Sequence, residues 1–327
     1  MTLTRRKVLA AGLAAGAARL FPADGVVHAI ASQPRTKVSF ALPPGATDCA
    51  THIYNDPKRH PFWEGRTYTP EPATVPELKQ MMRAVGFDRV VVVQASTYGT
   101  DNSIVIDSIR ELGAGARGVA VIDDKTTEAA LDAMHRGGVR GIRLSLGNQG
   151  VTDLAATRQR LKVASDRMKK RNGWSVLISG TPGTWAALRA DLEAFGVPIV
   201  VDHFGEPRVA DGVAQPGFAA VLSLVKSGKA YVKLSNADTL TQQADMSDVT
   251  PYARALVAAN PQRVVWGTAW PHPSASTVPG RKSTDLAIHR DVDDARTLNM
   301  LPVWVPDAAT RKLILVDNAA RLYGFGN

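Results

Sequence analysis

Residues 118–144 read GVAVIDDKTTEAALDAMHRGGVRGIRL, and this stretch contains one complete strand–helix–strand unit. The runs Gly118–Ile122 and Gly138–Leu144 are short and mostly apolar, as expected for strands that are buried on both faces. Between them, Thr127–Arg136 has the composition of a helix, and Gly137 follows it as a helix-ending residue. The unit therefore predicts two parallel strands joined by a helix.

The same alternation recurs on both sides of this unit until eight strands are reached. The predicted strands are Ala46–Tyr54, Arg89–Ser96, Gly118–Ile122, Gly138–Leu144, Ser175–Ser179, Pro198–His203, Ala230–Ser235 and Arg263–Thr268. The predicted helices are Val75–Val85, Ser103–Leu112, Thr127–Arg136, Ala155–Arg171, Thr184–Phe195, Phe218–Ser227 and Pro251–Asn260, with a closing helix over Asp307–Tyr323. Eight such units, without a G-x-G-x-x-G after the first strand, predict an α/β fold of the (β/α)₈ TIM-barrel class. The long first loop, Pro57–Thr74, is a candidate lid.

The first 31 residues have the features of an export signal rather than of the barrel. Arg5-Arg6-Lys7 precedes the apolar run Val8–Ala18, and small residues follow at Ala29 and Ala31. The run is shorter than the ~20 residues that span a bilayer, so no stable membrane insertion is expected. The paired arginines predict twin-arginine export, with a single barrel domain over residues 32–327 in the periplasm or outside the cell. The alternative is a basic, Ala-rich first helix.

Composition and charge limit the partners. The chain has 327 residues, of which 45% are hydrophobic and 21% charged, as in ordinary globular proteins. Its single cysteine, Cys49, excludes an intramolecular disulfide and multi-cysteine metal sites. Loss of residues 1–31 removes four basic residues and one acidic residue, so the net charge falls from +9 to +6. The basic residues are scattered, so nucleic acid is not expected as a partner, and a small anion is compatible.

Four polar residues end predicted strands: His52, Ser96, Arg143 and His203. In a barrel of this class the carboxyl ends of the strands form the active site. Taken singly, each residue also fits a structural role: a buried histidine, a helix cap or the partner of a structural carboxylate. Four polar side chains at the same end of otherwise apolar strands favour one shared site.

Four strings in the chain resemble a known family. They are Gln94–Asn102, Val139–Arg143, Val201–Pro207 and Trp266–Pro273. From about Gly45 to Tyr323 the sequence is similar to the amidohydrolase-related barrels, in the branch of 2-pyrone-4,6-dicarboxylate lactonase and the enzymes of sugar-acid lactones. The resemblance implies a barrel of the amidohydrolase type that acts on a small carboxylated lactone without a cofactor.

The resemblance also implies roles for particular residues. His52 and His203 would polarise the lactone carbonyl, because donors aimed at the oxygen that gains charge can replace a metal. Tyr68, Ser96 and Arg143 would orient a substrate carboxylate, with Arg143 forming bidentate hydrogen bonds. Packing of the first loop explains Tyr68 equally well.

Several positions depart from the family pattern. Ala50 replaces a histidine of the first strand, and Ala269 replaces the aspartate that ends the eighth. Ser179 stands where metal-dependent relatives have a histidine, and Thr239 where the lactonase has a second substrate arginine. Two histidines are too few for a catalytic zinc, so no metal is expected.

Loss of the eighth-strand aspartate removes the usual base. His272 is a possible substitute, although it also fits a packed loop residue, and Asp202 is expected to point to the opposite face from His203. The sequence therefore predicts a metal-independent lactone hydrolase or lactone isomerase. The alternative is a periplasmic small-anion binding barrel or pseudoenzyme.

Overall fold

The computed structural model describes residues 31–146, 153–274 and 280–326. An eight-stranded sheet runs through it, in which each strand is parallel to the next in chain order. The strands are β1 Thr47–Thr51, β2 Arg89–Val93, β3 Ala116–Ala120, β4 Val139–Ser145, β5 Ser175–Ser179, β6 Ile199–Val201, β7 Ala230–Leu234 and β8 Val264–Trp266. The predicted (β/α)₈ barrel is thus confirmed. The predicted export signal lies outside the described residues except for Ala31.

Helices follow the strands as the alternation predicted. They are α1 Val75–Val85, α2 Ser103–Leu112, α3 Glu128–Arg136, α4 Leu154–Met168, α5 Pro182–Glu193, α6 Pro216–Lys226 and α7 Thr250–Ala259. After β8 come α8 Asp294–Leu298, α9 Leu301–Trp304, α10 Ala308–Lys312 and α11 Asn318–Tyr323, and a π-helical turn, Leu313–Asp317, joins the last two. The predicted closing helix is confirmed, whereas α8 and α9 were not predicted. None of the described helices is both long and apolar enough to cross a bilayer.

Local sequence signals fix the ends of α1. Thr74 and Glu77 form a reciprocal capping box, and Pro76 lies in the first turn, where its missing N–H costs nothing. The helix ends at Gly86, whose φ of 99° is accessible mainly to glycine. The chain can therefore turn sharply and enter β2 only three residues later.

The barrel closes where β1 meets the chain that follows β8. The Ala269 amide donates to the Ala50 carbonyl (2.8 Å), and the His52 amide donates to the Trp270 carbonyl (2.9 Å). Below these bonds the Asp48 carboxylate accepts from the amides of Ala50 and Thr268, each at 3.0 Å, and from the Thr268 hydroxyl. A buried carboxylate thus holds the seam together.

Alternation along the strands separates two apolar regions. One face of each strand packs against the helices, and the other fills the barrel. The inner apolar residues include Cys49, Val91, Val119, Leu177, Val200 and Val265. This layer fills the barrel interior, so the polar groups that could carry chemistry lie above it, at the carboxyl ends of the strands.

The predicted lid is attached to the segment that follows β8. Residues Thr69–Pro70 pair in parallel with Leu286–Ala287, which adds a two-stranded ribbon outside the barrel that was not predicted. Trp63 donates its amide to the Thr97 carbonyl (2.8 Å), yet its side chain is 55% exposed. The first loop therefore lies over the mouth of the barrel with a large aromatic side chain in solvent.

We expect Asp48→Asn to change the pH dependence of stability in a defined direction. Burial raises the pKa of Asp48 to about 6, above its ordinary value of 3.8. A raised pKa in the folded state means that stability is lost as pH rises from about 4 to about 6. Urea unfolding should show the stability of the wild type, relative to the variant, falling by about 3 kcal/mol across this interval and then levelling.

The matched control is Asp124→Asn, because Asp124 is exposed. It should leave the pH profile of the unfolding free energy unchanged. A constant difference between wild type and Asp48→Asn from pH 4 to 7 would contradict the role given to Asp48.

Candidate active site

The structure brings four of the predicted site residues to the carboxyl end of the barrel. His52 directly follows β1, Ser96 begins a short turn after β2, Arg143 lies in β4 and His203 follows β6. The charge of Arg143 lowers the pKa of both His52 and His203. His52, Arg143 and His203 therefore lie in one region at this end of the barrel.

The hydrogen bonding of His52 fixes its tautomer. Nδ1 lies 2.8 Å from the Val93 carbonyl oxygen, which can only accept, so Nδ1 carries the proton. Burial lowers the pKa of His52 to about 3, and the charge of Arg143 acts in the same direction. His52 is therefore neutral near pH 7 and presents the lone pair of Nε2 rather than an N–H.

Tyr68 is buried and contacts a second buried tyrosine. Its hydroxyl lies 3.2 Å from that of Tyr54, and its side chain is only 5% exposed. Burial raises the pKa of Tyr68, while hydrogen bonds to Tyr54 and Ser96 and the charge of Arg143 oppose that rise. Tyr68 therefore lies in the same region as Ser96 and Arg143.

Arg143 is a half-buried cation without a carboxylate partner in the described part of the chain. No acidic oxygen lies within 4.0 Å of its guanidinium there, and its Nε has no hydrogen-bond partner. Its one hydrogen bond in that part is a long contact of 3.4 Å to the Gln94 carbonyl. A guanidinium without a carboxylate partner at the mouth of a barrel is suited to binding a planar anion, because its paired N–H groups match the two oxygens of a carboxylate.

A buried ion pair supports His203 from below. The Lys233 side chain is fully buried, and its Nζ lies 3.4 Å from Asp202 Oδ1. The other oxygen of Asp202 is 3.7 Å from His203 Nε2, and His203 Nδ1 is 2.8 Å from the Ser235 hydroxyl. Burial raises the pKa of Asp202, but the nearby His203, Lys233 and Arg143 outweigh this and hold that pKa well below its usual range. An ionised Asp202 favours the tautomer that carries its proton on Nε2 of His203.

The expectation that Asp202 points away from His203 is wrong. Strand β6 ends at Val201, so strict alternation no longer applies to the two residues that follow it. Asp202 is buried inside the barrel beside Lys233. Sequence reasoning missed Lys233 altogether, although a lysine inside an otherwise apolar strand run was a usable signal.

The turn after β6 holds an unusual backbone. His203, Phe204, Gly205 and Glu206 have φ values of 47°, 58°, 80° and 51°. For the three residues with a side chain, this conformation costs roughly 1–2 kcal/mol each. The indole of Trp185 donates to the Gly205 carbonyl at 2.8 Å and helps to hold the turn. Strain of this kind is retained where the surrounding structure fixes it, and it often marks functional sites.

Two further residues reach the mouth from the segment after β8. Arg290 contacts Asp238 and donates to Asn236 Oδ1 (2.6 Å), and its charge lowers the pKa of His203. His289 stacks on Tyr54 with ring centroids 5.6 Å apart. No local motif points to either residue, because their positions depend on contacts with distant parts of the chain.

The side chain of His272 forms no hydrogen bond to these residues in the described chain, although its carbonyl accepts from the Arg290 amide (2.9 Å). Its side chain is 1% exposed, and Nε2 lies 3.0 Å from Asp294 Oδ1, which is also 1% exposed. The pair connects the segment after β8 to α8. His272 thus has the packed position that the sequence left open as the alternative to catalysis.

Comparison with known proteins agrees with this geometry. The family described as Amidohydrolase matches residues 47–325. The chain belongs to the amidohydrolase family. It is 33% identical over 298 residues to 2-pyrone-4,6-dicarboxylate hydrolase of Comamonas testosteroni, which covers 88% of this chain and 93% of that protein.

Two further amidohydrolase-like relatives widen the comparison. The D-galactarolactone isomerase of Agrobacterium fabrum is 28% identical over 290 residues, with 86% of this chain and 92% of that protein covered. The crystal structure of a putative 2-pyrone-4,6-dicarboxylic acid hydrolase from Pseudomonas putida has a TM-score of 0.72 at 29% identity, covering 88% and 100% of the two chains. The relatives thus include both lactone hydrolysis and lactone isomerisation in their names.

The donor set of this amidohydrolase does not fit a catalytic metal. Within residues 31–146, 153–274 and 280–326, no three His, Cys, Asp or Glu side chains are close enough to hold one. Ala50 and Ala269 have no donor atom in their side chains, and the Lys233 ammonium already faces the Asp202 carboxylate. A divalent cation beside that ammonium would be repelled. Metal independence remains a prediction.

We expect His52 to stay neutral and protonated at Nδ1 from pH 5 to 8, because both burial and Arg143 oppose a second proton. Proton–nitrogen NMR of ¹⁵N-histidine-labelled protein should give pH-independent ring shifts for His52 of the Nδ1–H tautomer. In urea the same ring should titrate near 6.5. A cationic or Nε2-protonated His52 at pH 6 would refute the assignment.

Proposed function

We propose that this amidohydrolase acts on a small carboxylated lactone, which it either hydrolyses or isomerises. The observation that carries the proposal is Arg143, a half-buried guanidinium without a carboxylate partner in the described chain, placed among His52, His203 and Tyr68. Relatives that align over most of the chain act, by name, on a pyrone dicarboxylate and a galactarolactone. Both names describe a lactone with an acidic group, which suits a cationic anchor beside an acyl-transfer site.

The polarising role fits His203 better than His52. The ionised Asp202 near Nε2 favours a proton on that nitrogen of His203, and we propose that this N–H donates a hydrogen bond to the lactone carbonyl oxygen. Such a donor stabilises the negative charge that develops when the carbonyl carbon is attacked. The polarising role is therefore assigned to His203 alone, because the only ring proton of His52 is directed at the Val93 carbonyl. Its Nε2 lone pair is suited to accept from a substrate hydroxyl.

Hydrolysis and isomerisation use the same anion anchor and the same hydrogen-bond donor, and they differ in the nucleophile. In hydrolysis, water attacks the carbonyl carbon and the ring oxygen leaves. In isomerisation, a hydroxyl of the substrate attacks instead, and a new lactone ring forms as the old one opens. A single anchored carboxylate, supplied by Arg143 with Tyr68 and Ser96, orients the substrate for either course.

A second candidate is a binding barrel or pseudoenzyme that retains the anion pocket without turnover. The observation that favours it is the pair Ala50 and Ala269, which replace a histidine and an aspartate of the family pattern. Turnover decides between the two candidates, since both require Arg143 to bind the anion.

We expect the protein to convert at least one carboxylated lactone, because the proposal assigns it both an anion anchor, Arg143, and a polarising histidine, His203. Proton NMR of 2-pyrone-4,6-dicarboxylate and D-galactarolactone with purified protein distinguishes ring opening from ring migration. Binding of either compound without any product would favour the binding barrel.

Arg143→Lys tests whether turnover depends on the anion anchor. Lysine retains the charge but loses the planar fork, so kcat/KM should fall by roughly 5- to 150-fold, which corresponds to ~1–3 kcal/mol. Unfolding by urea should be unchanged. Arg110→Lys is the matched control, because Arg110 is exposed and pairs with Asp107 on the surface.

We also propose that the chain is exported in the folded state. The support is the sequence Arg5-Arg6-Lys7 followed by the short apolar run Val8–Ala18. Fractionation of the native host should place a mature chain starting near Ser32 in the periplasm or medium. Arg5→Lys combined with Arg6→Lys should retain the full-length chain in the cytoplasm. Cytoplasmic retention of the unchanged full-length protein would overturn the proposal.

A further inference from the structure

The site has no obvious group to accept a proton from the nucleophile. The aspartate of the family pattern is Ala269, and the neutral His52 is a weak base because its pKa is about 3. His272 is buried against Asp294. Whether water or a substrate hydroxyl attacks, a positioned base raises the rate, commonly by ~10²–10⁴-fold.

Most acidic side chains around the mouth already have a partner. Asp202 faces Lys233, and Asp238 faces Arg290. Glu71 accepts from the backbone amide of His289 at 2.9 Å. These carboxylates are held by cations or amide hydrogens, which makes them poor proton acceptors.

Glu206 differs from them in both position and partners. It lies in the strained turn after β6, only three residues beyond His203, and its own amide donates to the His203 carbonyl at 2.7 Å. Its side chain is half-buried, and within the described chain its carboxylate has neither a hydrogen bond nor an ion pair. The charges of Asp202 and Arg143 both influence its pKa, which places its carboxylate in the same region of the barrel mouth as Arg143.

The surroundings of Glu206 also set its protonation. Burial and the negative charge of Asp202 raise the pKa of Glu206 to about 7, and Arg143 opposes that rise. The other charged groups in this region are Lys233 on β7 and Arg290 from the segment after β8, while His203 has a lowered pKa. A carboxylate that is half ionised near neutral pH is well matched to proton transfer.

We propose that Glu206 is the general base of the lactone chemistry, an inference that rests on the proposed function. Its carboxylate takes the proton from the attacking hydroxyl group as the new carbon–oxygen bond forms at the carbonyl carbon. When the tetrahedral intermediate collapses, the bond from that carbon to the ring oxygen breaks. Glu206 then returns the proton to the departing oxygen, which leaves it ready for the next cycle. His203 and Glu206 lie three residues apart in one short strained turn after β6.

Glu206→Gln tests the role, because glutamine retains the shape but cannot accept the proton. With whichever of 2-pyrone-4,6-dicarboxylate and D-galactarolactone the wild type converts, kcat should fall by ~10²–10⁴-fold, and KM should change by no more than a few-fold. In the wild type, kcat/KM should rise with pH through about 7, because the ionised carboxylate is the active form. The variant should lose this rise. Retention of kcat within about threefold, together with the pH profile, would overturn the proposal.

Two further variants separate catalysis from folding and binding. Glu111→Gln is the matched control, because Glu111 is exposed near the end of α2, and it should leave kcat unchanged. Glu206→Asp retains a shorter carboxylate and should keep both the pH-dependent rise and a kcat between those of wild type and Glu206→Gln. If kcat of Glu206→Asp is as low as that of Glu206→Gln and its pH-dependent rise is lost, Glu206 is not the base.

Binding at pH 8 provides a readout besides turnover. Glu206→Gln removes a negative charge near Arg143, so calorimetry should show 2-pyrone-4,6-dicarboxylate binding at least as tightly as to the wild type. Weaker binding would assign Glu206 to the binding or folding of the site and overturn the proposal. A wild type that converts neither lactone is a different result, because there the proposed function fails and Glu206 has no reaction to serve.

Discussion

Closure of the sheet between β1 and the segment after β8 is the constraint on which the rest of the molecule depends. The Asp48 carboxylate forms this seam with the amide and hydroxyl of Thr268, and backbone hydrogen bonds continue it up to Trp270. An open sheet would leave the polar groups of two edges unpaired. Closure also places the ends of β1 and β8 side by side, so His52 is fixed relative to the segment that carries His289 and Arg290.

Inside the closed barrel, a buried charge has to be balanced by another charged group rather than by water. The Lys233 ammonium is fully buried beside Asp202, and a pair of this kind adds little stability once desolvation is counted. The pair instead affects the neighbouring histidine, since the ionised Asp202 favours one tautomer of His203. The positive charge also lies where a divalent cation would otherwise be attracted. The residues that disfavour a metal at this place are thus the same residues that surround His203.

The sequence predicted the barrel because its signals are local. Eight short apolar runs alternate with helical segments, several of which are followed by a glycine such as Gly86 or Gly137, and each signal can be recognised within about ten residues. Helices α8 and α9 and the outer ribbon were missed because they lie in a stretch without such repeats. Their positions depend on long-range contacts such as that between Arg290 and Asp238.

The site, like the fold, was predictable where its residues follow from local sequence signals. Residues at strand ends, such as Arg143, follow from the position of the strand, whereas Glu206 lies in a turn whose backbone could not be foreseen. A run of positive φ angles over residues with side chains has no reliable sequence signature, since it is imposed by surrounding contacts such as that of Trp185 with Gly205.

That strained turn explains how a barrel without the family aspartate can still be an enzyme. A base at the end of β8 would reach the substrate from the seam, on the side of Ala269. Glu206 reaches it from the end of β6, next to His203, so the donor to the carbonyl and the acceptor of the proton come from a single rigid turn. With Glu206 as the base, turnover is compatible with Ala50 and Ala269, because the proton acceptor then lies after β6 rather than after β8. The strain is then part of the site, since relaxing the turn would separate the two groups that have to act on one carbonyl.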